Sequence, residues 1–231
     1  MATNPHSGHR DRVKQKFIEF GSGPFREHEL VELLLFFGIP RLDTNEIAHR
    51  LMDRFGSIHA MLSANIEQLL EVEGIGEHSA VLIRLCGDLV KRCGIEDHPI
   101  GTKLSTAEEM GAYLLPRFWG EQEEKVMIVT LNNRKQVIKD TVISFGTLTA
   151  SAVNMQMILQ QALRDKATGV ILAHSHPAGH AVPSQADLET TALVISELRK
   201  IGVSLIDHII VADTDYVSLK STSSVAFAFG R

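Results

Sequence analysis

Cysteine is almost missing from this chain. Only Cys86 and Cys93 occur among 231 residues, too few for a disulfide framework. They stand seven apart in a helical pattern, which predicts reduced packing residues. Long hydrophobic runs are also missing. The longest, Leu33 to Ile39, is far too short to span a bilayer, so no membrane partner is expected. Met1 to Arg12 is polar and rich in His and Arg, so no signal peptide is expected either. A reduced, cytoplasmic protein follows as the default. Excess positive charge is absent too: 23 Lys and Arg stand against 28 Asp and Glu, a net charge of -5. No basic bulk advertises nucleic-acid binding.

What is present is an ordinary globular composition, 44% hydrophobic and 22% charged, long enough to bury a core in one large domain or two small ones. The first part reads as helices at Arg12–Phe20, Glu27–Phe37, Thr44–Phe55 and Ile66–Leu70, punctuated by Gly and Pro. A longer helix is predicted from Glu77 to Arg92, ending at Gly94. Asp97-His98-Pro99 and Gly101 mark residues 95–104 as a linker. Beyond it the pattern changes. Ser105–Phe118 is helical, with Ser105 or Thr106 as N-cap. Lys125–Leu131 and Gln136–Ile143 are β-rich and joined by a hairpin turn at Asn132-Asn133. Ala152–Arg164 is helical, and Gly169–His174 has the unbroken apolar character of a strand buried on both faces. A helix over Ser184–Ile201 and strands at Val203–Ala212 and Tyr216–Leu219 complete the chain. The expectation is an all-α domain over 1–94, a linker over 95–104 and an α/β domain over 105–231.

One stretch carries interpretable chemistry: His174-Ser175-His176-Pro177, followed by Ser184-Gln185-Ala186-Asp187. Residues i and i+2 of a strand point the same way, so His174 and His176 can face one ion. Asp187, in the first turn of the next helix, can return to it. Two imidazoles and a carboxylate suit zinc and leave a fourth position for water, whose pKa the ion lowers toward neutrality. Ser184-x-x-Asp187 is also a capping box that starts a helix. Ser184 can serve both as that cap and as a donor to a developing oxyanion.

HxHP followed by SxxD resembles the JAMM, or MPN+, zinc metallopeptidase motif. The wider context resembles the RadC family, through Phe145-Gly146-Thr147-Leu148-Thr149, Leu205-Ile206-Asp207-His208-Ile209-Ile210-Val211 and a helix-hairpin-helix at Glu73-Gly74-Ile75-Gly76. The resemblance implies a cytidine-deaminase-like (JAMM) α/β domain behind a small all-α helix-hairpin-helix domain. It implies zinc held by His174, His176 and Asp187, and an oxyanion-stabilising Ser184. It implies a hydrolase acting on peptide or isopeptide substrates, in a family traditionally labelled as DNA repair. One position departs from the pattern. Where the family's helix carries a Glu suited to acid/base work, this chain has Met157, which cannot move a proton. Gln160, one turn on, cannot act as a base either. Asp140 and Asp207 are candidate substitutes. The zinc-deaminase pattern needs a Glu after the His and a Cys pair; this chain has neither.

Gly74-Ile75-Gly76 before a helix can present N–H groups to a phosphate. Against this, Glu77 follows the second Gly, and Ser79 stands where the family often has Lys. Residues 1–100 carry eleven Lys and Arg against fifteen Asp and Glu, a net of -4. A weak DNA contact or a structural turn are the two readings. Asp207 and His208 are read as satisfied core groups or as outer partners of the metal. His180 is read as a solvated loop residue, Trp119 as the anchor of a helix end, and Arg134 and Lys135 as solvated turn charges. Two function hypotheses remain: a zinc-dependent hydrolase, and a non-catalytic zinc protein whose helical domain docks DNA or protein.

Overall fold

The computed structural model describes residues 7–40, 42–146, 154–177, 180–221 and 229. The chain divides into two compact units between Val90 and Lys91.

The first unit is helical: α1 (Ser7–Phe20), α2 (Glu27–Gly38), α3 (Asn45–Phe55), α4 (Ile58–Ser63), α5 (Ile66–Leu70) and most of α6 (Glu77–Glu96). Its core gathers Val31 and Leu35 from α2, Ile47 and Leu51 from α3, and Ala80 and Ile83 from α6. These are i, i+4 or i, i+3 pairs, the spacing that puts apolar side chains on one helix face. Burying each large aliphatic side chain contributes roughly 1.5–3 kcal/mol. α3 stops at Gly56, whose φ of +78° lets its N–H reach the Met52 carbonyl. The predicted helices omit α4. Six residues are too few to display a helical period, and its start is local: Ser57 Oγ accepts from the Ala60 N–H at 3.1 Å. α6 also runs past its predicted stop. Gly94 lies within the helix and serves close packing, since a Cβ there would sit 2.8 Å from Pro116 Cβ. Cys86 and Cys93 are free thiols, and Cys93 is exposed, which corrects its reading as a packing residue.

The second unit is an α/β/α sandwich. After α6 come α7 (Ala107–Phe118), β1 (Lys125–Leu131), β2 (Val137–Phe145), α8 (Met155–Arg164), β3 (Gly169–Ser175), α9 (Gln185–Lys200), β4 (Ser204–Ala212) and β5 (Asp215–Ser218). The sheet order is β2-β1-β3-β4-β5. Only β3 and β4 are parallel, with α9 as their crossover, the connection that parallel neighbours require. The strand period of two sorts the core into two layers. Val170 and Leu172 face α8 and α9, whereas Ile171 and Ala173 face α7. β1 and β3 are buried along their whole length, as suits their central runs Val126–Val129 and Val170–Ala173, which are apolar on both faces. The fold class is therefore as expected: a helical segment followed by a mixed α/β domain.

The β1–β2 hairpin differs in detail from its predicted turn. The left-handed residue of the loop is Lys135, with φ +60°. Asn132 organises the loop through Oδ1, which accepts from the Arg134 and Gln136 N–H groups, while its own N–H bonds to the Gln136 carbonyl at 3.0 Å. This is the three-residue hairpin in which a left-handed residue closes the turn.

β4 carries a second irregularity. The β3–β4 register runs Val170↔Leu205 and then Ile171↔Asp207, skipping Ile206. A bulge of this kind re-aims the side chains beyond it. Leu205 packs on the α8/α9 side. The bulge returns His208 to that side, opposite Leu172, and turns Asp207 to the α7 side, opposite Ile171.

Candidate metal centre

His174 is the next-to-last residue of β3 and faces the α8/α9 side. The His176 N–H continues the ladder by bonding to the Val211 carbonyl at 2.8 Å, so its side chain emerges on the same face as His174. Asp187 sits in the first turn of α9. Both contributors meet at the carboxyl end of a parallel strand pair and the start of its crossover helix, where open α/β folds place their ligands. α9 begins with a capping box. The Ser184 N–H donates to Asp187 Oδ2 at 2.7 Å, and the Asp187 N–H donates back to Ser184 Oγ at 3.2 Å. The box fixes one carboxylate oxygen and aims the other at the histidines.

The three side chains converge: their ligand atoms lie within 4.8 Å of one another, the one such group among the described residues. His174 Nε2 is 3.0 Å from Asp187 Oδ1 and 2.9 Å from His176 Nε2. His176 Nε2 is 3.7 Å from Asp187 Oδ2. His174 and Asp187 are buried, at 1% and 2% exposure, while His176 is 19% exposed and opens the corner to solvent. Burial alone would raise the Asp187 carboxyl. Hydrogen bonds and charge from His174, with the Ser184 bonds, overcome it and hold the group far below the usual carboxylate range. Two nitrogens and an anionic oxygen packed this closely repel unless a cation lies among them, a proton or a metal ion. Their chemistry, two imidazoles and one carboxylate, fits zinc.

His208, read from the sequence as a core group or an outer partner, touches the site directly. Its Nε2 is 2.8 Å from His174 Nδ1, and its Nδ1 is 2.6 Å from Thr191 Oγ1. The ring is fully buried. Burial, and then the charge of His174, push its imidazole well below the ordinary value, so it stays neutral. Sequence reasoning had no access to Thr191, because nothing in the chain pattern shows that α9 returns it to the metal corner.

The other candidates sort by face. Asp140 on β2 accepts from Tyr113 Oη at 2.8 Å and Arg117 Nε at 2.7 Å, both from α7. Asp207 accepts from Ser218 Oγ at 2.6 Å and from the Lys220 N–H at 3.1 Å. Burial raises its carboxyl and these bonds partly offset the rise. Both carboxylates lie on the α7 side of the sheet, and neither joins the ligand group. The sequence expectation that one might replace the missing Glu is thus corrected: strand register turns them away. Met157 packs against the apolar cluster of Ile158, Val126 and Ile128, and Gln160 is exposed. The Ser184 hydroxyl donates to Asp187 Oδ2 at 2.7 Å, so its hydrogen is committed to the ligand it flanks. His180 is exposed, and its carbonyl lies 3.4 Å from His176 Nδ1. Trp119 is the C-cap of α7. Thr147–Thr149, and Ala178 and Gly179 between the ligands, lie outside the described residues.

The hairpin turn in the first unit is built differently. Gly74 has φ +96° and a Cβ there would strike Ile47, so glycine is required. Ile75 is buried in the helical core. The Gly76 N–H, the donor best placed for a phosphate, instead bonds to Ser79 Oγ at 3.0 Å. Nearby arginines are paired, Arg54 with Glu71 at 2.6 Å and Arg50 with Glu46 at 3.3 Å.

Together the sandwich, the HxHP strand end and the capping-box aspartate define a JAB-type corner where two imidazoles and a carboxylate converge. Comparison with known proteins agrees. The RadC-like JAB domain model matches residues 104–224, and the UPF0758 N-terminal model matches residues 6–81. A UPF0758 protein of Fusobacterium nucleatum is 32% identical over 226 residues, covering 94% of this chain and 97% of that protein. The chain belongs to the RadC-like JAB family.

Proposed function

We propose that the chain is a zinc-dependent hydrolase of amide or isopeptide bonds. The observation that supports this most is the convergence of His174 Nε2, His176 Nε2 and Asp187 Oδ1 at one corner, 2.9–3.0 Å about His174 Nε2. In this reading those three side chains hold the ion, which supplies an activated water and polarises a carbonyl. Asp187 stays anionic throughout, and His176 marks the side from which substrate arrives. Ser184 stands at the exposed rim and steadies the developing oxyanion once its hydroxyl turns from Asp187.

Met157 favours a second reading. Its side chain belongs to the apolar cluster, leaving no carboxylate at the family position to carry a proton. A zinc protein with weak or no hydrolysis, serving as a DNA- or protein-binding module, is the alternative. In either case, contact of the Gly74–Gly76 turn with duplex DNA is weak, because its N–H is used internally and its arginines are paired.

Metal analysis of protein purified without chelator, followed by assays on amide and isopeptide substrates, separates these readings. Stoichiometric zinc with activity that Asp187→Ala abolishes supports the hydrolase. Zinc without activity, and activity gained in Met157→Glu, supports the second reading. Absence of zinc rejects both.

A further inference from the structure

Three polar groups behind the metal corner form a chain whose hydrogens can be assigned from chemistry alone. Thr191 Oγ1 lies 2.5 Å from the Asp187 carbonyl oxygen. A carbonyl oxygen only accepts, so the single hydroxyl hydrogen of Thr191 points there. Thr191 Oγ1 is also 2.6 Å from His208 Nδ1. Its hydrogen being committed, it can only accept, and His208 Nδ1 must carry the proton. The His208 ring is 0% exposed, and neither ring nitrogen meets a carboxylate. A cation there would be buried without a carboxylate in contact, so the ring holds only that one proton. His208 Nε2 is therefore a bare acceptor, and His174 Nδ1, 2.8 Å away, must donate to it.

We infer that His208, held by Thr191, is a positioning residue that keeps a proton on His174 Nδ1, so that Nε2, which faces Asp187 at 3.0 Å, is the nitrogen that gives up its own proton when a metal binds. The inference builds on the proposed metal site but concerns groups outside the ligand set. The same chain closes a loop through the protein: β3 supplies His174, β4 supplies His208, and α9 supplies both Thr191 and the Asp187 carbonyl. One ligand's ring orientation is thereby tied to the other ligand's backbone. The bulge at Ile206 is what makes this possible. Without the skipped residue, the strand period would turn His208 to the α7 side.

The arrangement predicts graded effects. His208→Leu removes the acceptor for His174 Nδ1–H and frees the ring to adopt the other tautomer. Zinc affinity, read by competition with a chromophoric chelator, should fall roughly 10- to 100-fold, the usual loss for such outer partners. His208→Gln can still offer an oxygen to His174 and should recover much of that loss. Thr191→Val should fall between them. A folded His208→Leu that binds zinc as tightly as the unaltered chain overturns the inference, as does His208→Gln no better than His208→Leu.

Should His208→Leu fail to fold, nitrogen-15 NMR of the imidazoles in the unaltered protein decides the matter. The expected signature is a protonated Nδ1 on both His174 and His208, with the His174 proton shared toward His208 Nε2. A His174 ring bare at Nδ1 overturns the inference. This measurement works on metal-free protein. If the chain binds no zinc but shows the tautomer, the metal reading fails and the relay stands.

Discussion

The starts of α9 and α6 make an instructive pair. In each, the third residue of the helix folds its side chain back onto the residue preceding the helix. Asp187 accepts from the Ser184 N–H, and Ser79 accepts from the Gly76 N–H. Both side chains are buried, at 2% and 1% exposure. The difference is in what remains. A carboxylate has a second oxygen, and Asp187 Oδ1 is left facing His174 at 3.0 Å. Ser79 has one oxygen, and its hydroxyl hydrogen returns to the Gly76 carbonyl at 2.9 Å. The same local motif thus builds a ligand site in one unit and closes itself off in the other. What matters is the bonding capacity left after the cap is made.

The largest expected effect that tests this contrast is loss of the free oxygen. Asp187→Ala should weaken zinc binding more than about 100-fold, beyond the loss typical of outer partners. It should also cost about 1 kcal/mol of stability through the lost cap. Asp187→Asn keeps a capping oxygen and should show the affinity loss with little of the stability loss. Equal destabilisation of both variants in urea would break the separation of cap from ligand.

Next in size is a change that strains the helical unit while leaving both helix starts untouched. A Cβ at Gly87 would collide with the Leu62 carbonyl. Gly87→Ala should therefore destabilise by about 1–3 kcal/mol, seen as an earlier denaturation midpoint. An unchanged midpoint would mean that the two helices separate at no cost.

The pH response is smaller and specific to the metal corner. His208 is held well below its ordinary value by burial. Unfolded, it takes up a proton near pH 6.5, which the folded ring refuses. The unfolded state then binds more protons, so stability contributed by the neutral ring is present above about pH 6.5 and falls as pH drops below it. The slope is about 1.4 kcal/mol per pH unit at most. Metal-free protein should show it relative to His208→Gln in denaturant titrations between pH 5 and 7.5. Parallel profiles would rule it out.

The smallest effect belongs to the hairpin. Ser79→Ala releases the Gly76 N–H and should cost about 1 kcal/mol. If the cap is what blocks a phosphate, low-salt duplex affinity should rise in this variant. No rise would leave the acidic residues Glu71, Glu73 and Glu77 as the barrier instead.

Much of the fold was legible because it rests on local patterns. The alternating and continuous apolar runs marked β1, β2, β3 and β4, and Ser184-x-x-Asp187 marked the start of α9 within a residue of where it lies. Gly94 misled because a glycine that permits close packing looks the same in sequence as one that ends a helix. The hairpin at Asn132-Asn133 was legible, but not that Lys135 takes its left-handed position, since that follows from Asn132 capturing the loop's N–H groups.

The convergence of His174, His176 and Asp187 was legible in the sequence itself, since strand period and capping chemistry are properties of neighbouring residues. Tertiary structure alone decided the rest. It turned Asp140 and Asp207 to the α7 side and brought His208 and Thr191 behind His174. Those outcomes depend on register between strands far apart in the chain, and above all on one skipped residue, Ile206, which no local pattern encodes.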